Sequence, residues 1–321
     1  MIFGIIIFMG FPHEAIFINM SIFNKVSQIL LALLILAVSI PISADSPNMA
    51  ALVETVNGAP MSDFYVLREG KKLDVVSMMP LYEGDQLHIL KSENKQNSVT
   101  LIFGNNQLEK VTIENSPYSI KKRDTALTIP ANIAKDTTSW FKSLYQPELE
   151  AVTVVSKKPE PQAFSIPLLA ENKALLVAGE RSLYLAWEGG KAPYWVQVFS
   201  EHNPKEAFLI QHQVHARQVQ FEKKLFTPGY YRAIIISIDG GWHNTQADFK
   251  VVKNLPTALQ KTETEMQAST LPVETKQTLL AAWLAQQDKG VWQFEAYQRV
   301  AGIAKNYQPA LLVVEGMGKT E

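Results

Sequence analysis

The chain has no cysteine among its 321 residues. That excludes disulfide staples, thiolate nucleophiles and Cys-based zinc sites, so folding has to rest on apolar burial. Net charge is nearly absent as well: 30 Lys and Arg stand against 31 Asp and Glu, leaving -1 at pH 7. Nucleic-acid binding leans on clustered Lys and Arg against phosphates, and such an excess is missing, so no nucleic-acid partner is expected. After the first 44 residues no segment reaches the roughly 20 apolar residues that a spanning helix needs. Catalytic signatures are missing too. There is no Gly-x-Ser-x-Gly elbow, no phosphate loop ending in Lys-Ser/Thr and no His-Glu-x-x-His. Gly189-Gly190 and Gly240-Gly241 lack the strand-to-helix setting of a nucleotide fingerprint. No catalytic residue, metal ligand or cofactor is assigned, and a non-enzymatic protein is expected.

What is present begins with a leader. From Met20 the chain reads a Lys25 n-region, an apolar core from Ile29 to Ile40, a break at Pro41 and small residues at Ser43-Ala44 before Asp45. This is the layout of a cleavable signal peptide within residues 1–44. The expected address is periplasmic or extracellular, with a mature chain that does not span a membrane; an uncleaved N-terminal anchor helix is the alternative.

The chain as a whole is 47% hydrophobic and 19% charged, the make-up of a folded protein. Short β-branched runs separated by Gly and Asn turns fill residues 50–130, which predicts a small all-β unit over 45–151. Here Val56-x-Gly58, Arg68-x-Gly70, Leu81-x-x-Gly84-Asp85-x-Leu87 and Val99-x-Leu101-x-Phe103-Gly104-Asn105 resemble the FecR-type periplasmic β domain. The resemblance implies a place in the cell envelope and use as a binding or scaffold unit. The family's signal-relaying role needs a regulator-binding cytoplasmic segment, for which the stretch ahead of Ile29 is too short. Gly84-Asp85 reads as a turn in which Asp bonds its own backbone.

Pro and charge alternate at Lys157–Pro161, which places a linker over 152–163. Seven strand candidates then occupy 164–254, the count of an immunoglobulin-like or fibronectin-III-like sandwich, with Trp187 as its core plug. A polar linker is expected over 255–270 and an α-helical hairpin over 271–315. The predicted fold is mainly β: a FecR-like domain, an Ig-like sandwich and a C-terminal helical hairpin.

Candidate binding residues follow from these faces. Trp195 and Phe199 alternate with Tyr194, Val196 and Val198, so they point away from that strand's apolar side. Trp242, beside His243 and Asn244, is a candidate for stacking on a sugar. Trp283 and Phe294 belong to a helical stripe that either packs inward or is offered to a partner. His212 and His215 lie three apart in a β-like stretch, which points them opposite ways and makes them surface histidines rather than metal ligands. Glu295, alone among Tyr297 and Arg299, reads as a solvated carboxylate. The expected function is an envelope adaptor or scaffold that binds another exported protein. A carbohydrate- or peptidoglycan-binding module is the alternative, and a hydrolase would need a cleft gathering two carboxylates or three metal ligands.

Overall fold

The computed structural model describes residues 49–58, 61–90, 96–123, 125, 127–145, 163–170, 173–238 and 243–318. The leader 1–44, almost all of the expected linker 152–163 and Trp242 lie outside them. The described residues belong to one unit by contact. It is mainly β, with helices grouped toward the C-terminus.

The first eight strands are β1 (Met49–Asn57), β2 (Phe64–Arg68), β3 (Lys71–Asp74), β4 (Pro80–Tyr82), β5 (Gln86–Ile89), β6 (Ser98–Phe103), β7 (Leu108–Thr112) and β8 (Tyr118–Ser119). They form two four-stranded sheets, ordered β4-β1-β6-β7 and β3-β2-β5-β8. Met49 to Val53 are all buried, because β1 is covered on both faces and so carries an unbroken apolar run. Pro80 opens β4, an edge strand, where its missing N–H costs no ladder bond. Two of the turn segments, around Arg68-x-Gly70 and Gly84-Asp85, meet in space. The Arg68 guanidinium donates to Asp85 Oδ1 at 2.9 Å and to Oδ2 at 2.7 Å, and Oδ2 also accepts the Tyr82 N–H at 2.9 Å. Asp85 therefore holds the Gly84 turn from inside, only 2% exposed.

Helix α1 (Ala131–Tyr145) follows within the segment expected to be all β, and it buries Ile133 and Phe141. The sandwich follows: β9 (Leu175–Val177), β10 (Gly179–Arg181), β11 (Tyr184–Ala186), β12 (Tyr194–Ser200), β13 (Asn203–Val214), β14 (Gln218–Gln220), β15 (Lys224–Phe226), β16 (Gly229–Ser237) and β17 (His243–Val252). Five of these make a sheet ordered β13-β12-β16-β17-β9; β10 pairs with β15 and β11 with β14. Alternate residues Tyr194, Val196, Val198, Tyr231, Ala233, Ile235, Phe249 and Val251 point inward and share a core with Leu183, Leu185 and Phe226. Trp187 is 3% exposed and sits edge-on to Tyr194 at 5.1 Å, the plug the sequence predicts.

The C-terminal part departs from a hairpin. Residues 257–267, expected as linker, form α2 (Thr257–Gln267). Its polar composition describes only its solvent side; Met266 is fully buried and Glu263 pairs with Arg299 at 2.6 Å. Then come α3 (Val273–Leu284), α4 (Gln293–Val300) and α5 (Gln308–Gly318). Pro309 is tolerated because it falls in the first turn of α5. Leu279 to Leu284 are buried all round, so α3 is an interior helix rather than an amphipathic one. Gly316 lets α5 approach α1 closely: a Cβ there would lie 2.5 Å from Leu144 Cδ2 and 2.7 Å from the Trp140 ring.

Helix α4 joins the two cores. Ala296, Tyr297 and Val300 pack with the first sheets and the helices, whereas Phe294 enters the sandwich core, 5.1 Å from Phe249. Between them Glu295 is 2% exposed, which corrects its reading as a solvated carboxylate. Its Oε2 accepts from Arg181 at 2.8 Å and from the Val177 N–H at 2.9 Å, and its Oε1 accepts from Arg299 at 2.8 Å. Burial pulls the Arg299 pKa down, but the attraction of Glu295 and Glu263 outweighs it and the net shift is upward. One turn on, the Gln298 amide donates to the Tyr184 carbonyl and accepts its N–H, both at 2.8 Å.

Removing Glu295 leaves the mostly buried Arg181 guanidinium without its carboxylate and the Val177 N–H without its acceptor, and leaves Arg299 with Glu263 alone. Glu295→Ala is expected to destabilise the chain by about 3–5 kcal/mol in a denaturant titration. Glu54 gives a pH-dependent test. It sits at the β1 bulge between Val53 and Thr55, and burial raises its carboxyl pKa, partly offset by a hydrogen bond with Tyr307. A raised carboxyl pKa means that the folded state holds the proton more tightly, so stability falls as pH rises through that value. Glu54→Gln should therefore raise Tm at pH 7, and the gain should vanish below about pH 4, where both states of the parent chain are protonated.

Candidate functional site

The five-stranded sheet buries one face and leaves the other uncovered by any described element. Strand pairing sets the outward residues in rows. Trp195 stands opposite Ile236, and Ile236 opposite Asn244. The next row runs Ile210, Gln197, Ile234, Gln246. The third runs Phe199, Arg232, Asp248. A fourth places Tyr230 opposite Lys250, beside the turn at Glu201. Neighbouring strands lie about 4.8 Å apart and successive rows about 7 Å apart, so the four rows are stacked along the strands as one surface.

The rows differ in chemistry. Trp195, Ile210, Ile234 and Ile236 form an apolar cluster; Ile210 is 49% exposed, and the His212 ring lies against Trp195 at 4.9 Å. Toward the Glu201 turn the face becomes a groove of about 380 Å³. Phe199 and Tyr230 supply aromatic walls and Pro204 an apolar lip. Arg232 donates to Asp248 through Nε at 2.7 Å and Nη2 at 2.9 Å. Those hydrogen bonds hold the Asp248 carboxyl below the usual carboxylate range and the Arg232 guanidinium above its own.

The platform is rigid from below. Tyr231, pointing the opposite way from Tyr230, stacks on Phe249 at 5.4 Å, and its hydroxyl donates to the Thr227 carbonyl at 3.1 Å. That bond fixes the Thr227-Pro228-Gly229 turn. Gly229, at φ +151°, leaves room for Glu201 and His202 to fold over it; a Cβ would sit 2.5 Å from Glu201 Oε1. The His202 ring Nε2 lies 3.1 Å from the Pro228 carbonyl.

Of the candidates read from sequence, Trp195 and Phe199 lie on this face, half-buried. Trp283 and Phe294 do not belong to a surface: they are 3% and 1% exposed. Their stripe closes inward because α3 is wrapped by α1, α4 and α5, and because Phe294 completes the sandwich core. Trp242 lies outside the described residues. Tyr230, Arg232, Ile234 and Ile236 were missed, although their period-two spacing in the 229–237 strand carries the signal. Ile210 and Asp248 have no comparable cue, because bulges shift the β12–β13 register and Asp248 is identified only by its partner across the sheet.

No protein-family model and no curated protein matches the chain. Among solved structures, CopC from Methylosinus trichosporium OB3b aligns at 16% identity over 26% of this chain and 86% of that one, with a TM-score of 0.21. A likeness at that score bears on neither fold nor function.

The contrast between face and core is testable. Trp283→Ala should cost about 3–5 kcal/mol of stability, as for a large core truncation. Ile210→Ser, on the open face, should stay within about 0.5 kcal/mol of the parent chain in the same denaturant titration.

Proposed function

We propose that this chain is a non-enzymatic envelope protein, an adaptor that holds another exported protein against the apolar rows of the open sheet face. One observation carries this reading. Trp195, Ile210, Ile234 and Ile236 stand in two neighbouring rows of the outward face, with Ile210 49% exposed, outside a fold that buries Leu, Val and Phe side chains in two extensive cores. Clustered apolar surface on a rigid frame marks an interaction site, whereas isolated apolar residues do not. The face also suits a folded partner better than a strand, because β12 and β16 each have neighbours on both sides and their backbone groups are engaged.

The signal-peptide layout before Asp45 and the FecR-like pattern of residues 50–130 support an exported setting. Among the described residues no helix is long and apolar enough to cross a membrane.

Site-specific crosslinking checks the proposal. A photoreactive residue at position 210 should crosslink one defined exported protein in intact cells. The same probe at Leu108, 56% exposed on β7, should not. With that partner purified, Ile210→Asp combined with Ile236→Asp should weaken binding at least tenfold, about 1.4 kcal/mol. Equal crosslinking from both positions, or an affinity unmoved by the double substitution, would overturn the adaptor reading.

A further inference from the structure

The pair Asn57-Gly58 closes β1 and carries chemistry that neither core nor the open face uses. We propose that Asn57 is a site of spontaneous covalent modification: the Gly58 nitrogen attacks the Asn57 side-chain amide, aspartate and isoaspartate accumulate at position 57 as the protein ages, and the change loosens the corner where β1 ends. The inference stands apart from the adaptor reading, since it concerns a different sheet and needs no partner.

Asn57 is the one asparagine of the sequence followed by glycine. A side chain on the following residue crowds its backbone nitrogen and slows attack on the asparagine amide; glycine has no side chain. Asn57 is the last residue of β1 and is exposed, as is Gly58, so water reaches both. The Asn57 Nδ2 donates to Thr55 Oγ1 at 3.5 Å, a bond too long to restrain the amide firmly.

Packing keeps the glycine in place. Gly58 sits at φ +122°, where L side chains are strained, and a Cβ on it would lie 2.0 Å from Asn97 Oδ1 and 2.8 Å from Asn97 Cγ. Asn97 cannot easily give way: it is 1% exposed and donates through Nδ2 to Asp63 Oδ2 at 3.0 Å. The corner where β1 ends and β6 begins therefore admits no shielding side chain at position 58. The fold itself requires the residue that makes Asn57 reactive.

The atoms balance with water as the co-reactant. A bond forms between Gly58 N and Asn57 Cγ, the Cγ–Nδ2 bond breaks, and Nδ2 leaves as ammonia with the proton from Gly58 N. The product is a cyclic succinimide. Water opens it at Cγ to give aspartate, or at the Asn57 backbone carbonyl to give isoaspartate, whose main chain runs through the former side chain. Either product adds a negative charge at a corner that already holds the Asp63 carboxylate. Isoaspartate also lengthens the main chain by a methylene beside the Gly58–Asn97 contact. Asn57 is the last residue of β1 to pair with β6, opposite Ser98, so the strain falls on the end of that ladder.

The test ages the purified chain in mildly alkaline buffer and follows its asparagine-containing peptides by mass spectrometry, with isoaspartate detected by an isoaspartyl methyltransferase. The peptide with Asn57 should gain the mass difference between amide and acid at least about tenfold faster than those with Asn203 and Asn244. Those two asparagines are also exposed, but Pro204 has no N–H to attack with and Thr245 is β-branched. Asn57→Gln, whose longer side chain closes its ring far more slowly, should stay unmodified and keep its Tm on ageing, whereas the aged parent chain melts lower. Matching circular dichroism of the fresh proteins shows that the variant folds. An Asn57 that stays intact in the folded chain and reacts only in urea would overturn the proposal, as would equal rates at Asn57, Asn203 and Asn244. Aged parent and aged Asn57→Gln melting alike would overturn the loosening of the corner. None of these results bears on the Ile210 crosslink, which tests the adaptor reading separately.

Discussion

The structure depends on one helix making two incompatible-looking demands at once. Helix α4 carries a carboxylate and an amide into the interior, flanked by Phe294 and Tyr297. A buried charge is costly unless it is paired and hydrogen-bonded, and Glu295 meets that condition with two arginines and a backbone N–H. What the arrangement supplies is direction. Glu295 caps the Val177 N–H of β9, and Gln298 takes both backbone groups of Tyr184, so α4 serves as a hydrogen-bonding neighbour for strand edges. An apolar helix could fill the same space without fixing its register. The arginines come from different places: Arg181 from the sandwich, and Arg299 from the helix itself, tied onward to Glu263 of α2. The network therefore joins elements far apart in sequence.

That bolt has a consequence for the open face. With β9 capped by α4, one edge of the five-stranded sheet is closed, and the Leu175 N–H also bonds the Val291 carbonyl. The other edge, β13, carries Pro204, Lys205 and register-breaking bulges, the usual devices against strand addition. The face changes from apolar at Trp195 and Ile236 to aromatic and polar at Phe199, Tyr230 and Arg232.

Much of this was legible in the sequence. Alternation in 194–200 gave both the inward Tyr194, Val196, Val198 set and the outward Trp195 and Phe199, because strand period is a property of the backbone and survives any packing. Trp187 as core plug and Gly84-Asp85 as a turn were readable for the same local reason. Long-range facts were not. Nothing near Glu295 announces Arg181, which lies 114 positions away. A polar run such as KTETE reads as linker until Met266 and Glu263 find partners on other elements. The Leu279–Leu280 and Trp283–Leu284 pattern of α3 reads as a stripe, yet the flanking alanines are buried too, and only the surrounding helices show that this helix has no wet side along its second half.

The central claim is that α4 makes the two cores one cooperative body. Native-state hydrogen exchange across a denaturant series tests it directly, by comparing the slowest amides of β1 with those of β16. The account predicts a common opening free energy and a common denaturant slope for both sets. Two separate openings, with the β16 amides protected after those of β1 have exchanged, would contradict it.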